Sequence, residues 1–449
     1  MADMRCLVAG ATGYVGGRLV PRLLAEGYDV RALARNPDKL ADAPWREQAE
    51  VVRGDLSDPR SLAAKFDGID VVYYLVHSMG TSNDFATDER RSAINLVTAA
   101  RRAGVRRLIY LGGLHPSGAQ LSRHLQSRVA VGDVLLSSEI ETIVLQAGVI
   151  IGSGSASFEM IRHLTDRLPA MTTPKWVRNK IQPIAIRDVL HYLLRAASAE
   201  VPCSRAWDIG GPDVLEYGEM MQIYAQEAGL GRRLILVLPF LTPTIASWWV
   251  GLVTSIPSGL ARPLVESLCC DAVMRGNDID TVIAPPEGGL IGYRSAVRLA
   301  LERIARGQVE TSWSDASAQA APSEPLPSDP DWAGEIAYVV SRSAWTSATP
   351  EELWKVLDAG QAQQRFQVRT RQPGQLLRLR RLTRAPGEEW LEMRASPVDG
   401  SGSRYGQRLI FYPRGIAGQL YWYGSLPLHR RRFRAMFAGV IASAADGNV

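Results

Sequence analysis

The sequence predicts an α/β chain: a doubly wound parallel-sheet domain carrying a helical cap, followed by a small α+β domain. Three observations carry this. Short apolar runs alternate with helically spaced segments through residues 1–150, and a glycine-rich turn joins the first run to the first helix. A Pro- and Ala-rich tract then separates residues 1–310 from a C-terminal part with its own order of elements. At 449 residues the chain has room for two or three domains at about 100–200 residues each.

The first apolar run is Arg5–Ala9. Leu19, Val20, Leu23 and Leu24 then recur at helical spacing through residues 16–26. Strands are predicted at 29–33, 51–53, 71–76, 108–111 and 142–146, with helices at 62–66, 85–103 and 124–137. Strands separated by helices read as βαβ units, hence a parallel sheet. Residues 151–308 carry helical patterns at 158–168, 186–199, 217–227 and 295–306, with a short strand at 206–209. They read as a mostly helical cap over the open end of the sheet. Residues 311–332 are read as a linker, because Pro322, Pro325, Pro327 and Pro330 stand among alanines and polar spacers. In residues 333–449 a strand is predicted at 336–341. A helix should open at Thr349 as N-cap, with Pro350 in its first position. Strands at 375–382, 390–393 and 407–412 and a last helix from about Leu428 to Ala445 complete the unit. That order resembles a helix-grip (START-like) module.

Gly10-Ala11-Thr12-Gly13-Tyr14-Val15-Gly16 lies directly between the first strand and the first helix. Glycines there permit a tight turn and let the backbone approach a pyrophosphate. The helix start adds unpaired N–H groups and a positive dipole end. Gly10, Thr12, Gly13, Tyr14, Val15 and Gly16 are therefore expected to bind a dinucleotide of Rossmann type. The plain alternative is a glycine-rich turn without function. A carboxylate closing the second strand marks an NAD site, but here Arg35 stands in that place with Arg31 nearby. A guanidinium suits a 2′-phosphate, so NADP(H) is expected ahead of NAD(H). Otherwise Arg35 is a solvated loop charge. Asp55 and Leu56, after the third strand, are expected at the adenine, unless Asp55 only caps the next helix. Gln146, at the end of the sixth run, is placed near the nicotinamide. His77, Ser78, Gly112, Gly113, Leu114 and His115 are candidate wall residues at other strand ends, where an open parallel sheet binds its ligands.

The strings Val8–Gly13, 73–79, 152–159 and Gln182-Pro183-Ile184 carry a resemblance. Residues 1–310 resemble an atypical short-chain dehydrogenase/reductase of the NmrA-like and triphenylmethane-reductase-like group. The whole chain is similar to bacterial proteins that fuse such a domain to a C-terminal domain of unknown function, DUF2867. The resemblance implies a position for a Tyr-x-x-x-Lys pair, in which Tyr protonates the developing alkoxide and Lys lowers its pKa. By position His124 replaces the Tyr and Arg128 the Lys. Arginine is not a tunable ammonium, whereas histidine can donate near neutral pH. His124 and Arg128 are either catalytic or merely line the cleft. An extended electrophile spreads incoming charge itself and tolerates the loss. The expected activity is therefore a reductase passing hydride to a hydrophobic, conjugated, quinone-like acceptor. The rival is a non-catalytic NADP(H)-sensing regulator or assembly factor, as in the NmrA-like branch. Against that family residues 358–375 look shortened, so no ligand-binding residue is assigned in the C-terminal domain.

Residues 234–261 hold no charged side chain and include Trp248-Trp249. Pro239, Pro243 and Pro257 interrupt the stretch. It is read as a buried cap over the substrate pocket, a membrane-touching face or a true span. Residues 333–449 carry 17 Lys/Arg against 9 Asp/Glu, a net +8, whereas the whole chain is +5. The basic balance is thus local, and no nucleic-acid partner is expected. Arg430-Arg431-Arg432-Phe433-Arg434 follows Tyr421-Trp422-Tyr423 and reads as a solvated helix face or as a membrane-facing, anion-binding patch. Four scattered cysteines, none with metal-ligand spacing, exclude a disulfide framework, and no metal site is expected. The first residues lead straight into a strand, so the expectation is no secretory signal and a cytoplasmic protein, with peripheral contact on the inner membrane face as an option.

Overall fold

The computed structural model describes residues 4–41, 43–76, 85–116, 121–238, 265–266, 268–305, 338–359, 366–381, 385–397, 402–413 and 415–445. The expected linker, His77, Ser78 and the uncharged stretch beyond Leu238 lie outside the described residues. The chain divides into two compact units, the second taking in Glu335–Val449.

The first unit begins β1 (Arg5–Ala9), α1 (Tyr14–Ala25), β2 (Asp29–Ala34), β3 (Glu50–Arg53), β4 (Val71–Tyr74), α2 (Phe85–Ala103), β5 (Arg107–Gly113), α3 (Arg123–Leu136) and β6 (Glu141–Ala147). It continues with β7 (Ile150–Ile151), α4 (Ala156–Arg167), β8 (Ala170–Thr173), β9 (Lys180–Ile181), β10 (Ile184–Ala185), α5 (Ile186–Ala196), β11 (Arg205–Ile209), β12 (Leu215–Glu216), α6 (Tyr217–Glu227), β13 (Leu234–Val237) and α7 (Tyr293–Ala305). The main sheet is parallel throughout, in the order β11-β6-β5-β4-β1-β2-β3. The chain reverses its direction of travel across the sheet after β3, returning beside β1 as β4. That switch point is where doubly wound sheets bind ligands.

Alternation within the strands explains the layering. Cys6, Val8, Val71, Ile109 and Ile143 face α1 and α5 through Leu19, Leu23, Val189 and Leu193. Their strand neighbours Leu7, Val72, Leu108 and Val144 face α2 and α3 through Leu96, Val131 and Leu135. Both faces are covered, so each central strand is a continuous apolar run. Outside the sheet α4, α6 and α7 enclose a second core around Phe158, Ile161, Tyr217, Tyr224 and Val297.

Two expectations need correction. The strand expected within the cap is β11, which pairs in parallel with β6 and forms the edge of the main sheet. Trp207 and Ile209 are buried there because the strand sits in the sheet rather than over it. The helix expected at 62–66 is only a single 3-10 turn, Pro59–Leu62. Ala64 then adopts a left-handed φ of 58°, which a continuing helix does not allow.

The second unit comprises β14 (Tyr338–Thr346), α8 (Pro350–Ala359), β15 (Phe366–Gln372), β16 (Leu376–Arg381), β17 (Gly387–Pro397), β18 (Ser403–Pro413) and α9 (Gly415–Ala445). The strands form an antiparallel sheet in the order β14-β18-β17-β16-β15. α8 and α9 pack on one face of it through Leu353, Trp422, Phe433 and Phe437, meeting Leu377, Leu391, Tyr405 and Phe411. Thr349 and Glu352 form a capping box, Oγ1 accepting from the Glu352 amide at 3.2 Å and the carboxylate from the Thr349 amide at 2.8 Å. β15 falls in the segment read from sequence as shortened, although Phe366, Val368 and Thr370 alternate there with Gln367, Arg369 and Arg371. α9 begins well before Leu428 and runs through Pro427. A proline removes only one backbone bond, and the packing of Trp422 on one side and Phe433 on the other holds the helix together.

Candidate functional site

The glycine turn after β1 is built so that only glycine fits. Gly10 has φ +99°, and a Cβ there would lie 2.8 Å from the Leu75 carbonyl carbon and oxygen. A Cβ on Gly16 would collide with the Gly10 carbonyl. The Gly13 amide donates to that same carbonyl at 2.9 Å and Gly13 caps α1, with no acidic residue in the first turn. The start of α1, with Tyr14, Val15 and Gly16, therefore keeps its dipole free of a competing carboxylate. Thr12 is half-buried beside it. Arg18, buried one turn on, stacks its guanidinium 3.9 Å over the Tyr14 ring. It donates to the Tyr14 carbonyl at 3.0 Å and to Ser153 in the loop after β7 at 3.1 Å. Glu159 of α4 accepts the Gly154 amide of that loop at 3.0 Å. The cap loop is thus fastened beside the turn. A closely approachable backbone at a helix start suits a pyrophosphate.

At the other end Arg35 is exposed immediately beyond β2. Arg31 is not available to a phosphate. Its guanidinium is buried and donates to Glu50 at 2.8 Å and to the Lys65 and Asp67 carbonyls at 2.8 and 3.0 Å. Asp55 does not cap the turn that follows; Asp58 does, accepting from the Arg60 amide at 3.0 Å. Asp55 instead closes an Asx turn, its Oδ1 accepting from the Ser57 amide and hydroxyl at 2.9 and 2.8 Å. Leu56 is buried, and Asn95 of α2 holds its carbonyl at 2.8 Å. The Asp55-Leu56 pair is thereby held rigidly after β3.

Gln146 closes β6 directly opposite Asp208 of β11 in the sheet register. One guanidinium spans both. Arg275 donates to Asp208 through Nε at 2.8 Å and Nη2 at 2.5 Å, and to Gln146 Oε1 at 2.5 Å. Its main-chain amide adds a third bond to Asp208 at 2.9 Å. Arginine only donates, so Gln146 must turn its oxygen to Arg275 and its Nε2 to His115, whose Nε2 lies 3.2 Å away. His115 Nε2 is then the acceptor, and its Nδ1–H is directed at the Pro116 carbonyl at 3.4 Å. Gln182 holds the segment that delivers Arg275, accepting from the Met274 amide at 3.0 Å and donating to the Gly211 carbonyl at 2.8 Å.

On α3, His124 is buried in the first turn at 6% exposure. Arg128 donates to the main-chain carbonyl of Leu111 and lies 5.9 Å from the Tyr110 ring centre. The Tyr110 hydroxyl donates back to the Arg128 carbonyl at 3.3 Å. Ser127 donates to the buried carboxylate of Glu89 on α2. Burial pushes the Tyr74 phenol well up from its ordinary value and raises that of Tyr110, with Arg128 pulling the other way. A cleft of about 60 Å³ remains between α3 and the sheet, lined by Tyr110, Gly112, Arg128, Gly132, Val144 and Gln146. That is room for a few waters.

The structure places the glycine turn, Arg35, Asp55 and Gln146 at or just beyond the ends of β1, β2, β3 and β6. Beside them the structure adds Arg18, Asp208 and Arg275, which the sequence reading does not name. The three carry no local pattern, and Arg275 arrives from an irregular segment that becomes relevant only once β11 is known to be in the sheet.

Residues 10–147 match the family described as NAD(P)H-binding, and residues 338–436 match DUF2867. A 3 beta-hydroxysteroid dehydrogenase/Delta 5-->4-isomerase of Mycobacterium tuberculosis is 38% identical over 118 residues, which is 24% of this chain and 30% of that protein. The chain thus spans about a third of the length of the curated relatives it matches first. The photosystem II assembly factor Ycf39 of Guillardia theta is 28% identical over 237 residues, 50% of this chain and 71% of that protein. The fold is similar to the triphenylmethane reductase of Citrobacter sp. solved with NADP(H), at 17% identity and a TM-score of 0.52, over 66% of this chain and 99% of that one.

Proposed function

The chain joins an NAD(P)H-binding domain of the atypical short-chain dehydrogenase/reductase kind to a C-terminal DUF2867 domain, and from that premise we propose that it is an NADPH-dependent reductase of a hydrophobic, conjugated acceptor such as a quinone. The nicotinamide supplies a hydride when bound. The backbone of Gly10–Gly16 and the first turn of α1 would hold the pyrophosphate, and Asp55 and Leu56 would border the adenine. Arg35, exposed beyond β2 where an NAD site has a carboxylate, would meet a 2′-phosphate, and this is the ground for preferring NADPH. Gln146, oriented by Arg275, presents its amide at the nicotinamide end.

One observation carries the choice of acceptor. The two positions of the usual Tyr/Lys pair hold a buried His124 and an Arg128 committed to the Leu111 carbonyl. Neither forms the tuned acid that a simple ketone requires, a service worth roughly 10²–10⁴ in rate. An acceptor that delocalises the incoming charge does without it and takes its proton from water. A quinone thus gains a hydride and a proton and leaves as the hydroquinone. The names of two relatives, a hydroxysteroid dehydrogenase and a triphenylmethane reductase, agree with a bulky apolar substrate.

The same loss favours a second reading, an NADP(H)-responsive regulator or assembly factor, which the likeness to an assembly factor also supports. NADPH oxidation by the purified full chain, across a panel of quinones and cationic dyes, separates the two. Turnover on any member supports the reductase. Firm NADPH binding with no oxidation across the panel supports the regulator and refutes the first reading.

A further inference from the structure

The outer face of α9 is unlike that of a helix meant for water. Over Gly415–Ala445 there is no Asp or Glu. Trp422, Phe433 and Phe437 form the stripe packed on the sheet. At 100° per residue, Leu420, Leu428 and Arg431 come round on the opposite side, while Tyr423 and Arg434 lie on a flank, where the Tyr423 ring meets Tyr338 edge-on at 5.4 Å. Leu420 is 69% exposed, Tyr423 62% and Leu428 49%. The arginines 430, 431, 432 and 434 are all exposed, and beyond them the outward positions are the small residues Ala435, Ala438 and Ala442. A solvated helix face normally mixes charges of both signs. This one combines large exposed apolar side chains with a purely cationic cluster.

We propose that this face of α9 lies flat on an anionic lipid bilayer. Leu420, Tyr423 and Leu428 enter the headgroup region, and the arginines engage lipid phosphates while their stems follow the apolar boundary. The choice rests on charge complementarity. A second copy of the chain is a poor occupant, since no register of α9 against α9 brings its arginines to a carboxylate. Among the described residues no helix is long and apolar enough to cross a membrane, and four arginines in mid-helix oppose insertion. The proposal does not depend on the reductase reading.

The test is co-sedimentation of the full chain with vesicles of phosphatidylcholine alone or mixed with phosphatidylglycerol. Binding is expected on the mixed vesicles only, weakening as salt is raised. Each arginine near an anionic surface is worth about fivefold, so R430Q/R431Q/R434Q should weaken binding by about a hundredfold. L420S/Y423S should weaken it as well. Glutamine keeps helix propensity at these exposed positions, and an unchanged circular dichroism spectrum with an unchanged unfolding transition of the second unit, the one NADPH does not shift, verifies the fold in every variant. Three results overturn the proposal: no binding to anionic vesicles, a triple variant that binds like the parent, or a dimer in sedimentation velocity that the same substitutions dissociate. The last would make the face a contact between copies.

Discussion

Replacing Arg275 with alanine tests the polar bridge at the carboxyl end of the sheet. The Asp208 carboxylate is 4% exposed and takes three bonds from Arg275, two from the side chain and one from the main-chain amide. Alanine keeps only the last. Removing one partner of a fully buried pair costs about 3–5 kcal/mol. The Arg275 side chain is 43% exposed, so water replaces part of what is lost. With the main-chain bond retained, a loss of about 2 kcal/mol is expected. D208N removes the buried charge while keeping an acceptor, so the double variant R275A/D208N should be more stable than the sum of the single losses implies, by about 1 kcal/mol. The assay is urea unfolding of the full chain, following the transition that NADPH shifts, because that transition belongs to the first unit. NADPH affinity should also fall in R275A, since Gln146 loses the group that fixes its amide. Stability within about 0.5 kcal/mol of the parent, or strict additivity in the cycle, would refute the bridge as a structural element.

Four further outcomes are expected. G13D places a side chain and a negative charge at the pyrophosphate position and should abolish NADPH binding by calorimetry without unfolding the protein; unchanged affinity would remove the site. R35A should weaken NADPH by about 1.5–3 kcal/mol, the value of a charge-assisted pair, and leave NADH nearly unchanged; equal effects on both would mean that Arg35 does not meet the 2′-phosphate. H124F should change turnover on a conjugated acceptor by much less than the roughly 100-fold minimum of a general acid, and a larger loss at constant NADPH affinity would make His124 the donor. Burial, with Arg162 and Arg167 beside it, holds His163 well below its ordinary value of 6.5, against the weaker pull of Glu159 at 3.7 Å. The folded protein therefore refuses a proton that the unfolded chain accepts, and stability falls as pH drops through 6.5. H163Q should flatten the stability–pH profile below that point by up to about 1.4 kcal/mol per pH unit, and parallel profiles would show that His163 takes the proton in both states.

The architecture was legible wherever the determinant is local. β1, the glycine turn and α1 form one continuous signal, since a strand buried on both faces must be apolar throughout and the turn admits no Cβ at Gly10 or Gly16. The capping box at Thr349 and Glu352 likewise lies within four consecutive residues. Failures came where tertiary context decides. β11 is five residues long and identical in pattern to a cap strand until its pairing with β6 is known. β15 is identified as a strand by its ladder with β16.

The candidate site divides along the same line. Its glycine-turn side is a motif; the side at the ends of β5 and β6 is an assembly. Gln146 could be proposed because it ends a strand, but what it does there depends on Arg275, 129 residues later, and on Asp208 in the adjacent strand. The consequence is chemical. Had Gln146 been free, either end of its amide could face a ligand. With Arg275 on its oxygen and His115 beside its nitrogen, the orientation is set before any ligand arrives. Preorganisation of this kind avoids the cost of ordering the amide on binding. It also moves the interest away from His124 and Arg128, the pair that sequence position singles out. Arg128 braces α3 against β5, while the groups held ready at the strand ends are His115, Gln146 and Arg275. On the proposed reductase reading, a search for the residues that govern hydride acceptance should therefore begin at the ends of β5 and β6, and substitutions on α3 should be read first as changes in how that helix packs on the sheet.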